Sequence, residues 1–252
     1  MNKAVFYIII CTMLVLFSAV DFRAKITDEG TLPHFALFYD MEVRKRQFFE
    51  FMRPIIEEEN ERVLSQRKRF LGLYEKRARG EELSAWQRAA LERMAEKYRV
   101  NPDEYESDAM WDLLKLRIDI VPTELALAQS ASESAWGRSR FAVEGNAMFG
   151  QWSFSRKRAG MIPKRRDPES SHRVAAFPSV SAAVKSYIRN LNTHSAYINF
   201  RLLRSRAREK GSELDAHTLA TGLINYSERR KDYVREIQTI IETNKSLMDL
   251  DL

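Results

Sequence analysis

The sequence predicts a mainly α fold of the α+β class, with a small β region late in the chain. Three observations carry this. An apolar stripe recurs at seven-residue spacing within residues 40–79. A helix of small residues follows Pro122, and a Gly- and Pro-punctuated excursion occupies residues 153–173. The 252 residues are enough for one globular domain plus helical extensions. A mean hydropathy of −0.43 excludes a polytopic membrane protein. Cys11 is the single cysteine, which excludes an intramolecular disulfide and a cysteine-based zinc site. The net charge of +6 suits anionic surroundings without selecting any one of them.

Residues 1–20 predict a signal anchor or signal peptide. Lys3 precedes an apolar run from Ala4 to Val20, and a run of about 17 residues is the shortest that spans a bilayer. Cleavage needs small residues at the last and third-last positions. Ala19 follows Phe17 and Ala24 follows Phe22, so an uncleaved anchor is preferred and a cleaved signal is the alternative. Either way the remainder is expected to be exported. Residues 21–39, with Gly30 and Pro33, read as a tether.

Residues 40–109 predict a helical extension. Pro54 predicts a kink or a new first turn, and Ile56, Val63 and Phe70 form the stripe beyond it. Gly80 ends the first helix and Ser84 caps a second, through Leu91, Met94 and Tyr98. The short heptad run predicts packing on the main domain rather than a coiled coil. The main domain spans 110–252 and opens with a helix at Met110–Ile118. Pro122 starts the helix containing Ala126, Ala128, Ser130, Ala131, Ser132 and Ala135, small enough on most faces to be surrounded by neighbours, and Gly137 closes it. Val174–Phe177 predicts a strand. Further helices are expected at Val180–Asn192, Leu214–Asn225 and Asp232–Asn244.

Within the small-residue helix, Gln129, Glu133 and Trp136 fall on one face by spacing. A carboxyl group there, desolvated beside an indole, would have a raised pKa and could protonate a glycosidic oxygen. Pairing with a basic neighbour is the alternative, and spacing alone leaves both open. The run Gly145 to Trp152 adds Asn146, Phe149, Gln151 and Trp152, aromatic faces for sugar rings and amides for hydroxyl and acetamido groups. Phe149 would equally serve as a core anchor. Seven Lys and Arg residues in 153–173 either form a solvated loop or attract carboxylates or phospholipid headgroups. His172, His194 and His217 lack metal-ligand spacing, and no metal or cofactor is expected.

Asp119–Pro122, the run Ala128–Gly137 and the run Asn146–Gly150 resemble Bax-type proteins of bacterial envelopes, within the endo-β-N-acetylglucosaminidase family of muramidase-like flagellar rod domains and many autolysins. Asn192-Thr193-His194-Ser195-Ala196-Tyr197 and Tyr226-Ser227-Glu228-Arg229 with Tyr233 resemble two further motifs of that family, so the likeness covers roughly residues 40–244. It implies a lysozyme-like fold, with a helical lobe, a small β lobe and a cleft between them. It also implies hydrolysis of the β-1,4 bond between N-acetylglucosamine and N-acetylmuramic acid in peptidoglycan. Glu133 matches the family's acid and Tyr226 its active-site tyrosine. Glu169 stands where a second acid often lies, with Glu144 a weaker candidate; without either, the substrate's acetamido group would be the nucleophile. Gln129, Trp136, Asn146, Phe149, Gln151, Trp152, Tyr197 and Tyr233 are the expected substrate contacts. The expected protein is a monomer on the periplasmic face of the inner membrane, held by its N-terminal helix, with no nucleic-acid partner. Three departures stand out: Ala147 replaces a common asparagine, Ser195 replaces a proline, and Ser153 and Arg158 replace two cysteines. Muramidase or lytic transglycosylase specificity, and a non-catalytic wall-binding scaffold, are the alternatives.

Overall fold

The computed structural model describes residues 32–101, 107–153, 160–162 and 173–249. The expected anchor and Glu169 both lie outside them. None of the described helices is long and apolar enough to cross a membrane.

The longest element, α1 (Met41–Ala78), threads two apolar cores. Asp40 caps it by accepting a hydrogen bond from the Val43 N–H at 2.9 Å. The heptad stripe of Ile56, Val63 and Phe70 is buried. At Pro54 the helix continues rather than restarting. A proline inside a helix costs about 3 kcal/mol. Burial of Phe51, Met52 and Ile56 on the flanking turns offsets that loss, with Arg53 reaching Glu57 at 2.8 Å across the same stretch.

Gly80, at φ +73°, turns the chain into α2 (Ala85–Lys97), where Ser84 and Gln87 form a reciprocal capping box. The next helix, α3 (Asp108–Arg117), closes the smaller core, in which Phe70 meets Leu91, Tyr98, Trp111 and Leu114.

The larger core surrounds α4 (Thr123–Ser134). Ala126, Ala128 and Ala131 are fully buried, and their size lets α1 approach one side and α9 (Lys231–Thr243) the other. After α4 come the short α5 (Arg140–Gly145) and a three-stranded antiparallel sheet of β1 (Trp152–Ser153), β2 (Gly160–Met161) and β3 (Arg173–Ala175), ordered β1-β3-β2. Trp152 pairs with Val174 and Gly160 with Ala175. The described architecture is thus mainly helical with a small antiparallel sheet. Then follow α6 (Val180–Thr193), α7 (Ile198–Glu209), the short α8 (Ala216–Ala220), α9 and α10 (Lys245–Met248). The helix expected at 214–225 is shorter and passes into a 3-10 turn at Thr221–Leu223.

α7 has no counterpart in the sequence reading. Its inward face carries Arg201 and Arg204 beside Phe200, each almost fully buried, so an apolar-periodicity criterion passes over it. Arg201 Nη1 donates to the Leu191 and His194 carbonyls at 2.8 Å each, while its buried Nε has no partner among the described residues. Arg204 donates to the carbonyls of Leu116, Asp119 and Ile120 and to Asn192 Oδ1.

These bonds converge on the Asp119–Pro122 segment that leads into α4. Arg208 grips the Asp119 carboxylate with two hydrogen bonds, at 2.9 and 3.1 Å, and Arg67 approaches it to 3.4 Å. Asn192 donates to the Asp119 carbonyl at 2.7 Å. Asn60, on α1, exchanges two bonds with the Val121 backbone. Burial pushes the Asp119 pKa upward, but Arg204, Arg208 and Arg67 outweigh it and hold the group below the ordinary carboxylate value. Burial in turn lowers Arg204 to about 10.

Asp119→Asn should therefore cost about 3–5 kcal/mol, because it strands a buried arginine. Thermal unfolding at neutral pH would read this loss. A depressed folded pKa contributes stability above the unfolded value, so the difference between wild type and variant should close as pH falls below about 4. A gap that persisted in acid would contradict the assignment.

Candidate active site

Glu133 lies in the last turn of α4, half-buried, on the floor of an open cleft of about 1820 Å³. The cleft exceeds the roughly 300–1,000 Å³ of a small-molecule pocket and suits an extended chain. Its walls come from the sheet (Val174, Ala175), the Phe149–Trp152 strand entry, α6 and the Tyr226–Arg229 turn.

The chain leaves α4 abruptly. Ala135, Trp136 and Gly137 take φ values of +51°, +58° and +73°, so the helix ends before the expected glycine cap. Two consecutive non-glycine residues in this region cost about 1–2 kcal/mol each. The compensation is the Trp136 ring, edge-on to Phe48 at 5.8 Å and Phe49 at 5.4 Å on α1. Trp136 therefore faces the core. The helical-face reading that set it beside Glu133 fails because the helix has already ended, and the ring does not line the cleft.

Glu133 is desolvated by other means. Gly150, at φ +58°, leaves the space its carboxylate uses, since a Cβ there would fall 2.5 Å from Oε2. Behind it runs a directed chain of hydrogen bonds. The Tyr187 hydroxyl donates to Gln129 Oε1 at 2.6 Å, and Gln129 Nε2 donates to the Tyr233 oxygen at 2.8 Å. The Tyr233 hydroxyl then donates to Glu133. Gln129 and Tyr233 are fully buried and absent from the cleft wall. They stand behind Glu133 and not in the cleft wall, which differs from their expected place among the contacts.

Burial raises the Glu133 pKa, the Tyr233 hydrogen bond and Arg229 pull it down, and the negative charge of Glu236 pushes it up. Glu236, on α9, moves the other way. Burial would raise it, yet hydrogen bonds from Ser132 Oγ and Arg229 Nη1 hold it below its ordinary value. Two nearby carboxyl groups are thereby driven apart, one toward the neutral acid and one toward the anion. Sequence reasoning passed over Glu236. Its position three residues beyond Tyr233, on the same helical face, was the available signal.

The tyrosines form a stacked wall. Tyr226 lies parallel to Tyr233, with centroids 5.4 Å apart, and Tyr197 packs 5.6 Å from Tyr226. Tyr226 lines the cleft, but its hydroxyl hydrogen is committed to the Phe149 carbonyl at 2.8 Å, leaving oxygen lone pairs for a ligand. Phe149 is buried and stacked on Tyr187 at 3.9 Å, so its ring is a core anchor that shows only an edge to the cleft. Asn146 caps α5 in a left-handed conformation and donates to the Phe177 carbonyl at 3.1 Å. It braces the cleft rim without lining it, another correction to the expected contacts. Gln151, Trp152 and Tyr197 do line the cleft, and Trp152 is 52% exposed. Gln151 Oε1 is buried with no hydrogen-bond partner among the described residues. Glu144 pairs with Arg140 at 3.3 Å on an exposed face away from the cleft. Glu59 and Glu228 are the other carboxylates among the described lining residues, and the sequence reading gave neither a role. Ala147 also lines the cleft, where an asparagine side chain would have projected. The described residues contain no cluster of three or more metal-ligating side chains.

Tyr233→Phe removes a bond to the charged form of Glu133 and leaves the apolar stack intact. The Glu133 pKa should rise further, read as an upward shift of the midpoint when its carboxyl resonance is titrated by NMR. An unchanged midpoint would show that Tyr233 does not donate to it.

Residues 109–246 match the glucosaminidase family, described as mannosyl-glycoprotein endo-beta-N-acetylglucosaminidase. Protein bax of Escherichia coli (strain K12) is 28% identical over 231 residues, covering 92% of this chain and 81% of that protein. The catalytic domain of the autolysin Auto from Listeria monocytogenes aligns at a TM-score of 0.39 and 16% identity, covering 72% of this chain and 97% of that domain. With more than half its length matched, the chain belongs to the glucosaminidase family.

Proposed function

We propose that the protein is a peptidoglycan hydrolase that cleaves the β-1,4 bond between N-acetylglucosamine and N-acetylmuramic acid, with Glu133 as general acid. The observation that carries this reading is the raised pKa of Glu133 on the floor of a cleft long enough for a polymer. Family membership supplies the reaction class. The helical body, small sheet and intervening cleft suit a lysozyme-like hydrolase.

In this reading the glycan lies along the cleft, with Trp152 and Tyr197 against sugar faces and Gln151 toward an amide or hydroxyl donor. Glu133, its pKa raised by burial, gives its proton to the glycosidic oxygen as the bond breaks. The Glu236 anion keeps that proton in place until transfer. The substrate's acetamido oxygen attacks the anomeric carbon, and water then opens the cyclic intermediate. Exported by its N-terminal segment, the enzyme works as a monomer on the periplasmic face of the inner membrane.

The test is digestion of purified peptidoglycan by wild type and Glu133→Gln, with borohydride reduction and mass spectrometry of the released fragments. Wild type should release fragments with reduced N-acetylglucosamine ends, and Glu133→Gln should be slower by a factor of about 100 or more. Glu169→Gln and Glu228→Gln should each keep most of the activity, whereas a Glu133-sized loss in either would replace the acetamido nucleophile with that carboxylate. Reduced muramic ends or anhydromuramic ends would reassign the bond. No release by folded wild type would leave a wall-binding scaffold.

A further inference from the structure

The cleft does not stop at the catalytic turn. It continues over the outer face of α6 to the end of α2, where Lys97 lines the same wall as Lys185 and Arg189. Lys185 and Arg189 are exposed and one helical turn apart. Lys97 reaches them from a different element. Its amine donates to Gln66 Oε1 at 2.7 Å and sits 5.5 Å from the Tyr98 ring centroid, so it is held in place and partly desolvated. Burial lowers its pKa, Glu59 pulls it back up, and the two α6 cations lower it again.

Like charges brought together from two elements repel one another. Glu59, which attracts Lys97, is buried and shared with Arg62 at 3.4 Å. Lys185 makes no ion pair among the described residues. Charges acting on Glu133 come from Glu236 and Arg229 instead, so this cluster is a separate feature of one continuous cleft. Its concave setting excludes a flat lipid surface and favours a polymer that carries anions at intervals.

We propose that Lys97, Lys185 and Arg189 form a subsite for a carboxylate of the peptide that branches from the glycan strand. The inference rests on the peptidoglycan reading above and adds to it that the enzyme recognises the peptide as well as the sugars. The helices before residue 109 then supply part of the substrate site through Lys97. The muramic lactyl group is the other source of a carboxylate, and it becomes free only when the peptide is removed.

The experiment uses the full chain, intact peptidoglycan, and the same material stripped of peptides by an amidase. For Lys185→Glu with Arg189→Glu, the ratio of kcat/KM on intact to stripped glycan should fall about tenfold from wild type. Lys185→Arg with Arg189→Lys should restore it, and raising the salt should shrink the wild-type preference. Equal losses on both substrates would overturn the assignment to the peptide, as would an unchanged ratio. If wild type cuts neither substrate, the hydrolase reading fails while the subsite remains testable by co-sedimentation with the two forms. Preference for the peptide-bearing form, lost on charge reversal, would then support the subsite, and its absence would overturn it.

Discussion

The Asp119 carboxylate is the constraint on which the rest of the structure depends. It lies in a four-residue segment with no regular structure, yet α1, α6 and α7 all bond to that segment. Pro122 follows as the N-cap residue of α4, so whatever fixes the segment also fixes the origin and direction of that helix. Glu133 stands at the far end, where a small error in direction would be amplified along its length. Removing a carboxylate and its arginines from water is expensive, and a well-packed apolar cluster of similar volume can be as stable. Their bonds, though, are directional, and an apolar contact would not set the helix axis as closely.

At the other end of α4 one carboxyl group is pushed toward its neutral form while its neighbours stay polar. The structure achieves this by distributing roles among several residues. Gly150 provides the space, and Glu236 supplies a negative charge. The Tyr187–Gln129–Tyr233 chain fixes orientation, because each donor in it has a single acceptor. Burial also drives Tyr187, Tyr226 and Tyr233 well above their ordinary pKa, which keeps these hydroxyls donors across the pH range in which Glu133 titrates. The tyrosine donor opposes the desolvation it accompanies. The acid is thus raised by burial and restrained by one bond, so both its proton affinity and its direction are set.

Much of this was legible in the sequence, and the exceptions share a cause. Ile56, Val63 and Phe70, the Ser84 cap and the alanines of α4 follow local rules of period, capping and size, and the structure keeps them. Trp136 and α7 do not. Trp136 follows a helix end imposed by packing against Phe48 and Phe49, residues more than eighty positions away, which helical spacing cannot register. α7 buries arginines where a periodicity scan looks for leucines. Gln129, Tyr233 and Asn146 have side chains that would suit a sugar, and residue type does not distinguish a polar group that meets substrate from one that holds another side chain. Glu236 acquires meaning only through Ser132 and Arg229, one of them on a different helix.

The boundary at residue 109 shows the same dependence on distant contacts. The family match begins there, after α1 and α2 and inside α3. In this chain those earlier helices do not form a separate body. α1 carries Asn60 and Arg67 to the Asp119 segment, and its Phe48 and Phe49 hold the Trp136 ring that offsets the strain after Glu133. Glu59 and Val63 of α1 and Lys97 of α2 stand in the cleft wall. Cleft wall, Glu133 and preceding helices thus meet in one continuous set of contacts. The Asp119 segment that sets the origin of α4 is held from both sides of that boundary, by Asn60 and Arg67 before it and by Asn192, Arg204 and Arg208 within the match, so the matched region of this chain draws part of its fold and part of its cleft wall from the earlier helices.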